Sequence, residues 1–159
     1  MNRTGLDELT RSRQILQALD TGRMALLYLD LNDFKALNDN FGHETGDIAL
    51  QIMAKRLRAA VREKDFAIRL GGDEFLCIIM DSKPQEAASN IARRILEKAT
   101  MPIRAGNGNY TIIPSIGLAV ATPGAGWDDL LKQADAAMFS AKKTNASAAV
   151  VHADATAAA

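Results

Sequence analysis

The chain has 159 residues, 48% of them apolar and 24% charged, which predicts one soluble globular domain with a sizeable hydrophobic core. Lysine plus arginine and aspartate plus glutamate number 19 each, so no overall charge favours nucleic acid or an anionic membrane as partner. No apolar stretch is long enough to span a membrane, and no signal peptide opens the chain. The single cysteine, Cys77, cannot form an internal disulfide. We therefore expect a cytoplasmic domain, alone or cut from a longer protein.

The first half of the chain alternates between helical and strand-like patterns. Leucines at helical spacing predict the first helix, and an apolar run predicts a buried strand that ends at Asp30. The predicted elements, in order, are a helix at 6–19, a strand at 24–29, a short helix at 33–38, a loop with Gly42 and Gly46, a long helix at 47–61 and a strand at 66–70.

The run Arg69–Phe75 predicts a tight turn between two strands. Gly71 and Gly72 adopt turn conformations without steric cost, and an apolar strand begins at Phe75. Asp73 and Glu74 are expected at the tip of this hairpin. Two adjacent carboxylates repel each other unless a cation is near, so the pair predicts a metal site that receives a phosphate. A solvated hairpin is the alternative when the run is considered alone.

The second half predicts further helices and strands around a sheet. These are a helix from Pro84 to about 99, a turn at 106–109, a strand over 110–121 with a bulge or edge at Pro114, a helix over 127–141 and a final strand at 148–151. The element order predicts an α/β (α+β) fold with helices on the faces of a sheet and a prominent antiparallel hairpin. We expect the domain to cover residues 1–152 and the alanine-rich segment 153–159 to be a disordered tail.

The end of the first strand carries chemistry that matches the hairpin. Asp30 together with Asp73 and Glu74 makes three carboxylates from two strand ends, enough to hold one or two Mg²⁺ ions with phosphate oxygens and water. The alternative for Asp30 is a cap on the following short helix. Lys35 is placed to neutralise a terminal phosphate.

Two polar residues further on have the groups that a guanine edge requires. The carboxylate of Asp47 accepts hydrogen bonds from ring and exocyclic N–H groups, whereas the amide of Asn38 both donates and accepts. The two side chains therefore have the donors and acceptors that a guanine edge would need.

These residues make the chain resemble the GGDEF domain family of bacterial diguanylate cyclases. The resemblance extends over nearly the whole chain, to about residue 145. It rests on separate motifs in one order, which are Asp30–Lys35, Asn38-Asp39, Gly42-His43, Gly46-Asp47, Arg69–Phe75, Ser115–Gly117, Ala134–Met138 and Ala141-Lys142. The resemblance implies a nucleotidyl-cyclase-like core, a central and mostly antiparallel sheet wrapped by helices. It also implies condensation of two GTP into cyclic di-GMP with release of two pyrophosphates, in a homodimer of GTP-loaded domains.

The resemblance also implies roles for individual residues. Asp30, Asp73 and the Leu31 carbonyl would hold Mg²⁺ or Mn²⁺, and Glu74 would be either a further metal ligand or the general base. The implied substrate-binding residues are Lys35, Asn38, Asp47, Gly71, Gly72 and Lys142. For Lys142 the alternative is a favourable interaction with the helix dipole.

Arg62 and Asp65 stand at the spacing of the family's inhibitory Arg-x-x-Asp site, which implies product feedback by cyclic di-GMP. The alternative is an i,i+3 ion pair at a helix end, a pattern worth only about 0.2–0.5 kcal/mol. The register against the Gly-Gly-Asp-Glu-Phe run favours the inhibitory site.

Two departures from the family pattern bear on activity. Ala146 stands where the family has a phosphate-binding arginine, and Asn2-Arg3 resembles the end of the family's opening motif, so its start is missing. We expect a sensor domain ahead of this chain in a longer parent. The leading hypothesis is an active diguanylate cyclase. The alternative is a catalytically weak or inactive regulatory module that binds GTP or cyclic di-GMP.

Overall fold

The apolar run Met24–Leu31 forms β1, the central strand of a five-stranded sheet. Every residue of β1 is buried, because helices cover both faces of the sheet. The computed structural model describes residues 3–144 and 150–152 of the chain. No helix in these ranges is long and apolar enough to cross a membrane.

Six helices and seven strands make up the described residues. The helices are α1 Arg3–Thr10, α2 Arg13–Asp20, α3 Phe34–Phe41, α4 His43–Ala60, α5 Pro84–Ala99 and α6 Trp127–Lys143. The strands are β1 Met24–Leu31, β2 Phe66–Gly71, β3 Glu74–Met80, β4 Ile103–Ala105, β5 Gly108–Tyr110, β6 Pro114–Val120 and β7 Val150–His152.

The strand order in the main sheet is β2-β3-β1-β6-β7. Its first four strands are antiparallel to their neighbours, and β6 and β7 are parallel. Strands β4 and β5 form a separate two-stranded sheet. This arrangement confirms the predicted class, a mostly antiparallel sheet wrapped by helices with a prominent hairpin at 66–80.

Alternate residues of β1 belong to two different cores. One set packs with residues of α3, α4 and α5, and it comprises Ala25, Leu27, Leu29 and Leu31. The other set packs with residues of α1, α2 and α6, and it comprises Met24, Leu26 and Tyr28. Asp30 continues the second set, since side chains alternate along a strand. The position of Asp30 in the sequence therefore places it on the face that α6 covers.

Helix α6 lies very close to β6 at Gly117. A Cβ atom at this position would collide with the Ala134 carbonyl oxygen and the Met138 backbone nitrogen of α6. Glycine is thus required here for close packing and not for its backbone dihedrals. This contact lets α6 pack closely on β6.

Three boundary predictions were wrong. The predicted helix at 6–19 is two helices, because the Ser12 hydroxyl accepts a hydrogen bond from the Ile15 N–H (3.4 Å) and starts α2. Gly46 was predicted in a loop but lies buried inside α4. A larger residue at this position would collide with the Asn38 side chain. The predicted strand over 110–121 is interrupted, so that β5 ends at Tyr110 and β6 begins at Pro114. A proline is tolerated as the first residue of a strand, where no ladder donor is needed.

Several other expectations concern positions near the carboxyl end of the chain. Part of the predicted strand at 148–151 is seen as β7. The predicted disordered tail at 153–159, and the substitution Ala146 with its neighbour Asn145, lie outside the described residues. The domain limits of 1–152 stay a prediction.

Candidate functional site

The end of β1 meets the start of β3 and the turn that precedes it. Asp30 pairs with Glu74 across the two antiparallel strands, and the Leu31 N–H donates a hydrogen bond to the Asp73 carbonyl (3.2 Å). Asp30 is only 8% exposed although it carries a carboxylate. The strand pairing thus brings three acidic residues from two separate parts of the chain to one edge of the sheet.

The hairpin turn is held in place by its glycines and one arginine. Gly72 has a φ of 52°, a left-handed conformation that favours glycine. The Arg69 Nε donates a hydrogen bond to the Gly72 carbonyl across the turn (2.9 Å). Glu74 was predicted at the tip of the hairpin, but it is the first residue of β3 and pairs with Gly71. Gly71 ends β2, so the turn consists of Gly72 and Asp73 only.

Lys142 forms an ion pair with Asp30 that the sequence did not predict. Its Nζ atom lies 2.7 Å from Asp30 Oδ1, and the hydrogen bond to this carboxylate raises the pKa of the lysine. The family resemblance implied a phosphate contact for Lys142, which stays a prediction, and the structure shows an ion pair with a carboxylate. Nothing in the local sequence pairs residues 30 and 142; only the packing of α6 on β6 brings them together.

Burial and neighbouring charges affect the ionisation of the acidic side chains at this edge. Burial, followed by the negative charge of Asp30, raises the pKa of Asp73. The same two causes, in the same order, raise the pKa of Glu74. A raised carboxyl pKa means that the protein disfavours the ionised form, and a bound cation would relieve this.

Two members of the cluster were missed by the sequence prediction. Burial, and then the charge of Glu74, raises the pKa of Tyr28, and the charge of Asp135 contributes both there and at Glu74. Tyr28 lies two residues before Asp30 in a buried strand, so the period of two was a usable signal for its position. Asp135 lies on α6, and its approach to β3 depends on helix packing.

The donor chemistry of this edge suits a hard divalent cation. Mg²⁺ prefers oxygen ligands and usually takes only one or two carboxylates, with substrate phosphates and water completing its coordination. Within residues 3–144 and 150–152, no three His, Cys, Asp or Glu side chains converge closely enough to enclose a metal. The expected convergence of three carboxylates is therefore not seen among these residues, and one oxygen of the Asp30 carboxylate is paired with Lys142. The roles of Asp30, Leu31, Asp73 and Glu74 as metal ligands stay predictions.

The predicted nucleotide-binding residues lie on α3 and α4, the two helices that follow β1. Lys35 is exposed in the first turn of α3, and Asp47 is exposed on α4. The Oδ1 atom of Asn38 is buried against Gly46 and accepts no hydrogen bond from any residue that the structure describes. A buried amide oxygen without a donor is costly, so it is suited to accept an N–H group from a ligand.

The predicted inhibitory pair lies at the opposite end of β3. Arg62 Nε is 2.8 Å from Asp65 Oδ2, and Arg62 Nη1 is 2.8 Å from Asp81 Oδ2. Asp65 is 2% exposed and also accepts a hydrogen bond from the Met80 N–H (3.1 Å). The i,i+3 ion pair named as the alternative is thus formed, and Asp65 also ties the end of α4 to the end of β3. Asp81 was not predicted as a partner.

Comparison with known proteins agrees with this fold. The family model described as "Diguanylate cyclase, GGDEF domain" matches residues 1–148. The chain is 41% identical over 144 residues to the bifunctional diguanylate cyclase/cyclic di-GMP phosphodiesterase MucR of Pseudomonas aeruginosa, covering 89% of this chain and 21% of MucR. The chain therefore belongs to the GGDEF domain family and is homologous to diguanylate cyclases.

Solved structures give the same result. The crystal structure of the GGDEF domain of TpbB, also called YfiN, from Pseudomonas aeruginosa superposes with a TM-score of 0.84 at 34% identity, covering 97% of this chain and 96% of that one. The GGDEF domain of DgcB from Caulobacter crescentus, in complex with c-di-GMP, gives 0.83 at 28% identity, covering 96% and 90%. The chain spans only 16–21% of the length of the first curated relatives that it matches.

Proposed function

We propose that this domain is a diguanylate cyclase, which condenses two GTP molecules into cyclic di-GMP and releases two pyrophosphates. The observation that carries this proposal is the pairing of Asp30 with Glu74 across β1 and β3, with Asp73 in the adjoining turn. Membership of a family homologous to diguanylate cyclases supports the same reaction. Two carboxylates with raised pKa values beside a buried third are an arrangement that a divalent cation would stabilise.

Asp30, Asp73 and the Leu31 carbonyl would hold Mg²⁺ or Mn²⁺ beside the triphosphate. Such a cation, when bound, supplies charge neutralisation for the phosphates and lowers the pKa of the attacking hydroxyl. Glu74 has two open roles, as a further ligand or as the base that takes the proton from the ribose 3′-hydroxyl. Its raised pKa brings it nearer to the working pH of a base, whereas its cross-strand position beside Asp30 suits a ligand.

The remaining residues would bind and orient GTP. Lys35 would contact phosphates, and Lys142 would do so after leaving Asp30 for the arriving triphosphate. Asn38 and Asp47 would bind the guanine edge, and the unpartnered Asn38 Oδ1 supports this assignment. Gly71 and Gly72 would let the hairpin backbone approach the nucleotide closely, since neither carries a side chain.

The reaction requires two copies of the domain. In each of two equivalent steps, a 3′-oxygen loses its proton and forms a bond to the α-phosphorus of the other GTP, while the bond to the pyrophosphate breaks. One domain holds one GTP, so the two domains would face each other in a symmetric dimer. Turnover per domain should therefore rise with protein concentration.

Incubation of the purified protein with GTP and Mg²⁺, followed by chromatography for cyclic di-GMP, tests the proposal. We expect product from the wild type at high protein concentration and at least a 100-fold loss in Asp73→Asn. Lys132→Ala, which removes an exposed charge elsewhere on α6, is the matched control and should retain activity. Absence of product at every concentration would reject the cyclase assignment.

We also propose product feedback at Arg62 and Asp65. The arginine lies at the surface, with its side chain 35% exposed, so its guanidinium is accessible to a phosphate or guanine although it pairs with two carboxylates. Calorimetry should show loss of cyclic di-GMP affinity in Arg62→Ala and normal affinity in Lys132→Ala. Unchanged affinity in Arg62→Ala would leave the Arg62 cluster with a structural role only.

A second candidate function is a non-catalytic module that binds GTP or cyclic di-GMP. It is favoured by Ala146, which replaces the family's phosphate-binding arginine, and by the ion pair between Lys142 and Asp30. Such a module would bind a non-hydrolysable GTP analogue but yield no product in the chromatographic assay.

A further inference from the structure

The turn that follows β1 is held by a side-chain hydrogen bond between two elements far apart in sequence. The Ser115 hydroxyl on β6 donates to Asn32 Oδ1 at 2.8 Å, and Ser115 is fully buried. Asp30 pairs directly with Ser115 across β1 and β6. Ser115 therefore lies between the buried carboxylate and the first residue after β1, on the face of the sheet that α6 covers.

The backbone of Asn32 is fixed at the same place. Its N–H donates to the Ile113 carbonyl, just before β6, at 3.1 Å. In a planar trans peptide the N–H and the preceding C=O point in opposite directions. The Leu31 carbonyl belongs to the same peptide unit as the Asn32 N–H, so it points away from β6 and towards the hairpin that carries Asp73.

The Leu31 carbonyl also lacks its usual partner. Of the two reciprocal hydrogen bonds that would join Leu31 to Asp73, the described residues form only the one from the Leu31 N–H. A backbone carbonyl at the end of a buried strand normally finds a donor or a cation. Asp33, two residues after Leu31, has a φ of 58°, so the chain turns sharply here into α3.

We propose that Asn32 and Ser115 are positioning residues for the metal–nucleotide site: their hydrogen bond holds the Leu31–Asn32 peptide so that the Leu31 carbonyl faces Asp73. This inference rests on the proposed function, because it takes the Leu31 carbonyl as a ligand of the divalent cation. Neither side chain touches the substrate. Both act through the direction of one peptide plane.

Calorimetric titration of Mn²⁺ into the protein, saturated with a non-hydrolysable GTP analogue, tests the inference without turnover. Loss of an outer-shell partner typically weakens metal binding 10–100-fold, so we expect about a tenfold loss in both Ser115→Ala and Asn32→Ala. The double variant should be no weaker than either single variant, because both remove one hydrogen bond. Ser140→Ala, which removes an exposed hydroxyl that donates to the Ala136 carbonyl, should bind Mn²⁺ like the wild type.

Several outcomes would overturn the proposal. It is rejected if the single variants bind Mn²⁺ within twofold of the wild type, or if the losses of affinity add up in the double variant. It is also rejected if the variants lose as much affinity for the nucleotide in EDTA as they lose for Mn²⁺. If Ser115→Ala does not fold, the partly exposed Asn32→Ala tests the same bond. If the wild type binds Mn²⁺ and nucleotide but makes no cyclic di-GMP, the cyclase assignment is rejected. The Mn²⁺ affinities of the variants then still decide whether Asn32 and Ser115 position the metal ligand. A wild type that binds neither rejects both.

Discussion

The two ends of strand β3 carry two charged clusters of opposite character. Glu74 begins the strand beside Asp30 and Asp73, whereas Met80 ends it beside Arg62 and Asp81. Six residue steps, or about 20 Å of extended chain, separate the two ends. The same rigid strand thus joins the candidate active site to the candidate inhibitory site.

The clusters differ in how their charges are balanced. At the first end, burial, followed by the negative charge of Asp30, raises the pKa values of Asp73 and Glu74. At the second, a hydrogen bond from the Lys83 N–H, followed by one from Arg62, lowers the pKa of Asp81. The acidic residues at the Arg62 end therefore have hydrogen-bond and ion-pair partners, whereas Asp73 and Glu74 lie where their ionised forms are disfavoured. The pKa of Asp81 therefore moves in the opposite direction from the pKa values of Asp73 and Glu74 at the other end of β3.

The largest effect on folding stability is expected at the Arg62 end of β3. Asp65→Ala removes the buried acceptor of both the Met80 N–H and the Arg62 side chain, so it should cost about 3 kcal/mol of unfolding free energy. Urea unfolding measures this loss. Asp65→Asn keeps one acceptor oxygen, so its free energy of unfolding should fall by less than that of Asp65→Ala. A loss below about 0.5 kcal/mol in Asp65→Ala would show that this cluster is not structural.

A slightly smaller effect is expected where α6 packs on β6. Gly117→Ala introduces a Cβ that collides with backbone atoms of α6, so the helix must move, at a cost of about 1–3 kcal/mol. Movement of α6 also displaces Lys142 from Asp30, so affinity for a GTP analogue should change in the same variant. Gly126→Ala, whose Cβ meets only Asp129 Oδ2 at 3.6 Å, is the control and should cost less than about 1 kcal/mol. Equal unfolding curves for the two variants would contradict the close contact.

The lowered pKa of Asp81 gives a pH-dependent prediction. A carboxyl group with a depressed folded-state pKa stabilises the protein above its ordinary pKa of about 3.9, and this contribution is lost as pH falls through the folded value. Asp81→Asn should therefore cost about 1 kcal/mol at pH 7 and progressively less below pH 4. Thermal unfolding across this pH range is the measurement. A difference from wild type that stays constant with pH would exclude the charge as the cause.

The smallest effect on stability, and one of opposite sign, is expected at the Asp73 end of β3. Glu74→Gln removes a negative charge that burial and Asp30 disfavour, so in EDTA the variant should melt up to about 2 °C higher than wild type. The same variant should lose cyclase activity. A lower melting temperature in EDTA would show that Glu74 is satisfied without a cation, and the contrast between the two ends of β3 would disappear.

Much of the architecture was predictable because its signals are local. The apolar run of β1, the two glycines before Asp73 and the stripe of α5 predicted correctly a sheet with helices on its faces and an antiparallel hairpin. The mostly antiparallel order of the sheet was implied by the family resemblance. The helix at 6–19 was predicted as one because the leucine period hides the cap at Ser12. Gly46 was predicted in a loop because glycine usually ends helices, whereas here it makes room for Asn38.

The sequence by itself determined the family, the acidic residues at the end of β1 and in the hairpin, and the alternation that places Asp30 on one face of the sheet. Those features depend on residue type and on periods of two or about four residues, which are visible in a linear chain. The tertiary structure alone decided that Lys142 pairs with Asp30, that Asp81 joins Arg62, and that Ser115 holds Asn32. Such pairs join elements up to 112 residues apart, and only the packing of helices on the sheet brings their side chains within hydrogen-bond distance.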